Sequence, residues 1–260
     1  MAATSLKEKI KNKKLTFGSW VTLGHPAVAE IMARAGFDWL TVDMEHSAIT
    51  LSEAQSLIQV IELCGVVPLV RVGENNPNLI KRVMDLGAHG VIVPMVNTRE
   101  DAEKAVNAVK YPPKGTRGVG LYRAQGYGTK FDEYRKWADA NSMVIVQIEH
   151  IKAVENLKSI LTVKGIDAFI IGPYDLSGSL GVPGEFSHPS FIEAMKQIQK
   201  ISSNLEVTAG CHIVPPDPKL VKEKINAGYR FIGYSVDFMF LGEMCRGGLS
   251  EVKALVNKKG

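Results

Sequence analysis

Short apolar runs alternate along this chain with longer segments in which apolar residues recur at helical spacing. Runs of the first kind are typical of buried β-strands, and segments of the second kind are typical of amphipathic helices. Several of the helical segments end at a glycine, as a left-handed C-cap prefers. Eight runs are predicted to be strands: residues 16–23, 38–45, 66–72, 90–96, 143–149, 166–172, 206–214 and 229–237.

The strand-like runs are continuously apolar, which favours a parallel sheet covered by helices. Eight strand–helix units in 260 residues fit a (β/α)8 TIM barrel better than a doubly wound sheet, and no G-x-G-x-x-G follows the first strand. We therefore predict one barrel domain over residues 1–260. Residues 1–15 are predicted to form a basic helix that closes the barrel, and the glycine-rich stretch 111–131 is predicted to be a long active-site loop.

Composition excludes several classes of protein. The chain is 45% hydrophobic and 22% charged, and 31 basic against 27 acidic residues leave a net charge of only +4. No apolar run reaches the roughly 20 residues that span a bilayer, and no signal peptide is seen. Three cysteines fit neither a disulfide framework nor a zinc finger. We predict a cytoplasmic protein that binds neither nucleic acid nor membrane.

Polar side chains gather where the predicted strands end, which is where the active sites of such barrels lie. Each residue alone has a simpler interpretation, since a carboxylate after a strand is often a helix N-cap. Their convergence predicts a functional rim. The residues are Asp43, Glu45 and His46 after the second strand, Arg71 on the third, Gln147 and Glu149 on the fifth, Asp175 after the sixth, His212 on the seventh and Asp237 after the eighth.

The residue types at this rim indicate particular chemistry. Glu149 and Asp175 would repel each other unless a cation lay between them, and carboxylate ligands with open positions suit Mg²⁺ or Mn²⁺. Arg71 keeps its charge and binds a carboxylate or a developing oxyanion, although a structural ion pair is the alternative. His46 suits a general base near neutral pH, although a core histidine is the alternative.

The motifs "TVDMEHS", "PLVRV", "YPPKGTRGVG", "VQIE" and "IIGPYDLSGSLG" resemble those of the HpcH/HpaI aldolases, and the similarity extends over residues 16–237. The resemblance implies a class II aldolase that depends on Mg²⁺, Mn²⁺ or Co²⁺. Such an enzyme cleaves a 4-hydroxy-2-oxo acid reversibly to pyruvate and an aldehyde through an enolate. It also implies a homo-hexamer, a trimer of dimers, with the last helix exchanged between subunits.

The resemblance also implies roles for residues on the metal side of the site. Glu149 and Asp175 would be the metal ligands, and Gln147 would hold a metal-bound water. Gly172, Tyr174 and Asp175 would contact the substrate, with the backbone N–H groups of Tyr174 and Asp175 turned toward the pyruvate carboxylate.

The catalytic groups follow from the same motifs. Arg71 would bind pyruvate and stabilise its enolate, and His46 with Asp85 would form an acid/base dyad beside Asp43. On the aldehyde side, His212 stands where the family has an apolar residue. Together with Arg123 of the long loop, His212 predicts an aldehyde that carries hydroxyls or a carboxylate.

Four alternatives remain. The enolate could come from oxaloacetate or another 2-oxo acid, as in citrate-forming relatives. A CoA-ester lyase would need a basic adenosine-phosphate site, which is not evident. A Schiff-base aldolase would need a lysine at a strand end, and none is present there. A non-catalytic binding barrel predicts a damaged rim, whereas every expected position is filled.

Overall fold

The structure is a computed structural model that describes residues 5–257. Eight parallel strands close into a barrel in chain order, with the first strand paired to the last. This confirms the predicted (β/α)8 barrel, and each strand falls within a predicted run. The strands are β1 (Thr16–Val21), β2 (Trp39–Asp43), β3 (Val67–Arg71), β4 (Gly90–Val93), β5 (Met143–Ile148), β6 (Ala168–Ile171), β7 (Thr208–Ile213) and β8 (Phe231–Val236).

Helices connect and cover these strands, and none between residues 5 and 257 is long and apolar enough to cross a membrane. The helices are α1 (Leu6–Lys11), α2 (Pro26–Arg34), α3 (Leu51–Leu63), α4 (Pro77–Asp85), α5 (Arg99–Val109), α6 (Phe131–Asn141), α7 (Ile151–Glu155), α8 (Leu157–Leu161), α9 (Pro173–Ser179), α10 (Pro189–Ser202), α11 (Pro218–Asn226) and α12 (Asp237–Asn257).

Two helical features differ from the pattern in the sequence. Residues 151–165 have the apolar periodicity of one helix, which predicts a single helix there, but the helix is divided at Asn156, whose amide donates to the carbonyl of Asn97 at 2.9 Å. Helix α6 was not expected, because it is mostly polar and only Tyr134 and Ala138 are buried.

Helix α1 lies against the N-terminal end of the barrel. Leu6 and Ile10 are buried and join the apolar cluster inside the barrel. Lys9 and Lys7 pair with Asp38 and Asp167, which directly precede β2 and β6. The basic side chains therefore fasten the helix to the strand ends while its apolar face covers the interior. Of the expected helix over residues 1–15, residues 1–4 lie outside the described residues.

The stretch from 111 to 131 packs on the outside of the barrel. The Arg117 side chain is fully buried, and its Nη2 lies 2.6 Å from Oδ1 of Asp85 at the end of α4. Gln125 donates to the same oxygen at 2.9 Å, and the Arg117 guanidinium carbon lies 4.7 Å from the ring centre of Tyr111. These contacts use the charge of Arg117 to hold the segment in place.

Aromatic rings fill the barrel interior, and glycines on neighbouring strands make room for them. Trp39 stacks on Phe231 with ring centres 4.1 Å apart, and Trp20 meets Trp39 edge to face. A Cβ atom at Gly233 of β8 would lie 2.3 Å from the Trp20 ring. Glycine at 233 is therefore what allows Trp20 to lie across the barrel.

We expect Gly233→Ala to lower the free energy of unfolding by about 1–3 kcal/mol, because the added methyl group overpacks a closed interior. Urea unfolding followed by tryptophan fluorescence measures this. Gly178→Ala is the matched control, since a Cβ atom there meets nothing within 4 Å. Equal stability of the two variants would show that Trp20 moves freely away from residue 233.

Candidate active site

A cavity of about 310 Å³ lies at the C-terminal ends of the strands. It contains seven of the predicted site residues and also Trp20, which the sequence did not identify because a tryptophan in a strand looks like core. The lining residues are Trp20, His46, Arg71, Gln147, Ile170, Ile171, Gly172, Pro173, Tyr174, Asp175, His212 and Val214.

A bidentate ion pair between Arg71 and Asp43 lies at the base of this site. Nε and Nη2 of Arg71 donate to the two carboxylate oxygens of Asp43 at 2.9 and 2.6 Å. Asp43 is 2% exposed, and the Arg71 side chain is 11% exposed. Because β2 and β3 pair in register at these two residues, the strand alignment itself brings the charges together.

Asp43 also organises the turn that follows β2. Its Oδ1 accepts from the backbone N–H groups of Glu45 and His46 at 3.0 and 3.3 Å. Burial alone would raise the pKa of Asp43. The bonds from Arg71 and from these two N–H groups outweigh burial, so the pKa lies below its ordinary value.

Glu45 and His46 are placed differently by this turn. Oε2 of Glu45 lies 3.3 Å from Nη1 of Arg71 and 3.8 Å from Nε2 of His46, yet it makes no hydrogen bond within the described chain. Burial raises the pKa of Glu45 to about 7, with the charges of nearby carboxylates adding to it against the effect of Arg71. The His46 side chain is 62% exposed and opens into the cavity.

Glu149 follows β5 and is held on both oxygens. Oε1 accepts from the backbone N–H of Met95 at 2.6 Å, and Oε2 accepts from the amide of Gln147. Burial raises the pKa of Glu149, and the charge of Asp175 adds to this, while the bonds from Gln147 and Met95 oppose it. A Cβ atom at Gly172 would lie 2.8 Å from Oε2, so glycine keeps one side of this carboxylate open.

The carboxylates fit a divalent cation that the protein encloses only in part. Within residues 5–257, no cluster of three or more His, Cys, Asp and Glu side chains could hold a metal. Buried Glu149 and exposed Asp175 are instead two hard oxygen donors beside the amide of Gln147. Mg²⁺ and Mn²⁺ are commonly bound by one or two carboxylates, with substrate and water filling the other positions. The surplus of carboxylates over the single Arg71 charge also favours a cation.

Helix α9 supplies the outer part of the site. Asp175 and Tyr174 lie in its first turn, and Tyr174 is 56% exposed with its ring 5.0 Å from that of Phe186. The first N–H groups of a helix have no acceptor within the helix. The backbone at Tyr174 and Asp175 is thus available to an anion at the cavity mouth.

His212 on β7 lies inside the cavity and stacks on Trp20, with ring centres 4.2 Å apart and an interplanar angle of 12°. Its Nε2 is 3.1 Å from the backbone oxygen of Ser235 on β8. Burial, with a smaller contribution from the charge of Arg71, lowers the pKa of His212 to about 4. The ring is therefore neutral at pH 7.

Two predicted residues lie away from the cavity. Asp85 ends α4, a helix that returns the chain to the N-terminal end of β4, and it pairs with Arg117 instead of His46. Arg123 pairs with Glu62 and donates to the carbonyl of Leu86 at 2.9 Å. Both side chains line other surface cavities. The sequence could not show this, because neither residue lies on a strand.

Comparison with known proteins gives consistent matches. Residues 16–242 match the family model HpcH/HpaI aldolase/citrate lyase. A hydroxypyruvate/pyruvate aldolase of Roseobacter denitrificans is 36% identical over 241 residues, which cover 91% of this chain and 92% of that protein. A HpcH/HpaI aldolase/citrate lyase family protein from Burkholderia cenocepacia has a TM-score of 0.91 at 34% identity, covering 96% of this chain and 100% of the other. Citrate synthase SbnG has a TM-score of 0.86 at 25% identity, covering 98% and 100%.

We expect Arg71→Met to lower the free energy of unfolding by about 3–5 kcal/mol, because Asp43 loses its counter-charge while it stays buried. Urea unfolding of the variant and the wild type measures this. Arg34→Met is the control, since the Arg34–Glu30 pair is exposed and its loss should leave stability nearly unchanged. If both variants lose little free energy of unfolding, the Arg71–Asp43 ion pair contributes little to the stability of the fold.

Proposed function

Because this chain belongs to the HpcH/HpaI aldolase/citrate lyase family and is a carbon–carbon lyase of the aldolase type, we propose that it cleaves 4-hydroxy-2-oxo acids. The products would be pyruvate and an aldehyde, and Mg²⁺ or Mn²⁺ would be required, with Co²⁺ as a further choice. The observation that carries this proposal is one cavity lined by Arg71, Asp175 and Gln147, with the Glu149 carboxylate directly behind it, where it accepts from the amide of Gln147.

Arg71 and the carboxylates would divide the work on the 2-oxo acid. Glu149 and Asp175 would hold the cation, which when bound makes the protons beside the oxo group more acidic. Arg71 is fixed by Asp43 before substrate arrives, so its remaining N–H groups need no reorganisation to stabilise a developing oxyanion. The first-turn N–H groups at Tyr174 and Asp175 would receive the substrate carboxylate. Gln147, which already donates to Glu149, would keep that ligand in place.

The proton would move through the turn that follows β2. His46 opens into the cavity, so it can exchange protons with substrate and with solvent. Asp43 fixes the turn through two backbone N–H bonds and would act as a positioning residue. Glu45 is the nearest carboxylate to His46, and it would stabilise the imidazolium form.

The half-reaction on pyruvate can be tested without knowing the aldehyde. In D₂O, we expect the methyl signal of pyruvate to disappear from the NMR spectrum when protein and Mg²⁺ or Mn²⁺ are present, and to persist with EDTA. Glu149→Gln and Arg71→Ala should each slow exchange by on the order of 10²-fold or more. Glu155→Gln, an exposed carboxylate on α7, and Arg123→Ala, whose charge lies outside the cavity, are controls expected to exchange normally. Slow exchange in Arg123→Ala would show that this arginine acts in the reaction on pyruvate.

Exchange also separates the proposal from its alternative. The similarity to a citrate synthase supports a second candidate, in which oxaloacetate or another 2-oxo acid supplies the enolate. Absence of exchange with metal bound would exclude pyruvate as the free nucleophile and favour this second candidate. If neither substrate reacted, a binding barrel would remain.

Asp85 is proposed to form the acid/base dyad with His46 of another subunit. It does not reach His46 within one chain, and α12 carries apolar side chains that are exposed in the single chain. These support a homo-oligomer, proposed to be a hexamer built as a trimer of dimers with α12 exchanged. The exposed side chains of α12 are Phe238, Leu241, Met244, Leu249, Val252, Leu255 and Val256. A cytoplasmic location is proposed on the free cysteines.

The dyad is tested by mixing variants. Asp85→Ala and His46→Ala should each be impaired, and refolding them together should restore activity, because some sites then combine an intact His46 with an intact Asp85 from another subunit. Failure of the mixture to recover would assign the defect of Asp85→Ala to loss of the Arg117 anchor. Arg117→Met should then show the same defect alone.

A further inference from the structure

Among the described residues that line the cavity, His212 is a buried polar side chain that the proposed chemistry on the 2-oxo acid does not use. The part of the cavity around it is therefore left for the aldehyde. His212 is held between Trp20, which covers one face of its ring at 4.2 Å, and the backbone of β8. With its face and one nitrogen occupied, the orientation of the ring is fixed. Its chemistry toward a ligand therefore depends on which nitrogen carries the proton.

The backbone of β8 decides that question. A carbonyl oxygen only accepts hydrogen bonds, so Nε2 of His212 must carry the proton that it shares with the Ser235 oxygen. Ser235 has a φ of 55°, a left-handed conformation that is costly for serine. Its carbonyl also accepts from Oγ of Ser19 at 3.1 Å, and its own hydroxyl donates to the carbonyl of Val214 at 2.9 Å. Contacts with Ser19 on β1 and with Val214, the residue after β7, thus keep this oxygen on Nε2.

The other nitrogen of the ring is left as an acceptor. Nδ1 of His212 has no hydrogen-bond partner between residues 5 and 257 and is not sealed off from the cavity. The low pKa of His212 keeps the ring neutral, so Nδ1 has a lone pair and no proton. Such a nitrogen attracts a hydroxyl group and repels a carboxylate.

We propose that Nδ1 of His212 accepts a hydrogen bond from a hydroxyl group of the aldehyde, so that the enzyme selects hydroxyaldehydes over aliphatic and carboxylate-bearing ones. The inference rests on the proposed function. The sequence left open whether the aldehyde carries hydroxyl groups or a carboxylate. A carboxylate would need a cation beside it, and the expected one, Arg123, is paired with Glu62 outside the cavity.

Three two-carbon aldehydes test the selection: glycolaldehyde, acetaldehyde and glyoxylate. The kcat/KM for condensation with pyruvate is measured for wild type, His212→Phe and His212→Asn. The phenyl ring keeps the stack on Trp20 but has no acceptor, whereas asparagine places an amide oxygen near the position of Nδ1. We expect the preference for glycolaldehyde over acetaldehyde to fall on the order of 10-fold in His212→Phe and to be partly kept in His212→Asn. Comparing ratios between variants cancels the intrinsic reactivities of the aldehydes.

Tyr174→Phe is the matched control, because the Tyr174 hydroxyl is another polar group on the cavity wall. Loss of the preference in Tyr174→Phe but not in His212→Phe would overturn the inference, as would an equal loss for glyoxylate in His212→Phe. If wild type exchanges the pyruvate methyl protons but shows no hydroxyl preference, only this inference fails. If wild type shows no exchange, the inference fails together with the proposed function.

The protonation state is tested without turnover. A long-range proton–nitrogen NMR spectrum of the wild type at pH 7 should show a neutral His212 ring with its proton on Nε2, and the signals of His212 are assigned by their absence from the spectrum of His212→Phe. An imidazolium ring at 212, or a proton on Nδ1, would overturn the inference.

Discussion

The pair between Asp43 and Arg71 is the interaction on which the geometry of the site depends. Asp43 is almost fully buried and makes four hydrogen bonds, two from the guanidinium of Arg71 and two from the N–H groups of Glu45 and His46. One carboxylate thereby sets both the orientation of Arg71, the one arginine or lysine among residues 5–257 that lines the cavity, and the path of the turn that carries His46. A buried charge of this kind is stable only while all its partners are present, so the site forms as a unit.

The second constraint is an excess of negative charge. Four carboxylates, Asp43, Glu45, Glu149 and Asp175, influence one another around a single arginine, and burial raises the pKa of both Glu45 and Glu149. Arg71 donates two hydrogen bonds to Asp43. Glu45, Glu149 and Asp175 therefore have no full counter-charge of their own. A divalent cation beside Glu149 would lower the pKa of these carboxylates. The site therefore has an excess of negative charge that a bound divalent cation would offset.

The sequence was informative where topology determines position. In a parallel barrel every strand ends at the same rim, so reading the residue at each strand end was enough to bring His46, Arg71, Gln147 and His212 into one cavity. Asp85 and Arg123 follow no such rule, since the direction of a side chain on a helix end or a loop depends on its local ion pairs. Trp20 could not have been found either, because its role depends on a ring partner on β7, six strands later in the chain, and on the space left by Gly233.

The charged and the neutral residues of the cavity lie on different strands. Under the proposed function, the residues near the aldehyde could therefore vary while those for the 2-oxo acid stay the same. The groups proposed to hold the 2-oxo acid come from β2, β3, β5 and the start of α9, and loss of either Asp43 or Arg71 would leave a buried charge unpaired. The side proposed for the aldehyde comes from β1, β7 and β8, where Trp20, His212 and Ser235 are neutral and meet through stacking and one backbone carbonyl. A substitution at 212 changes which group a ligand finds there without leaving a charge unpaired. Under the proposal, specificity would thus depend on the part of the barrel where a change of residue has the smallest electrostatic cost.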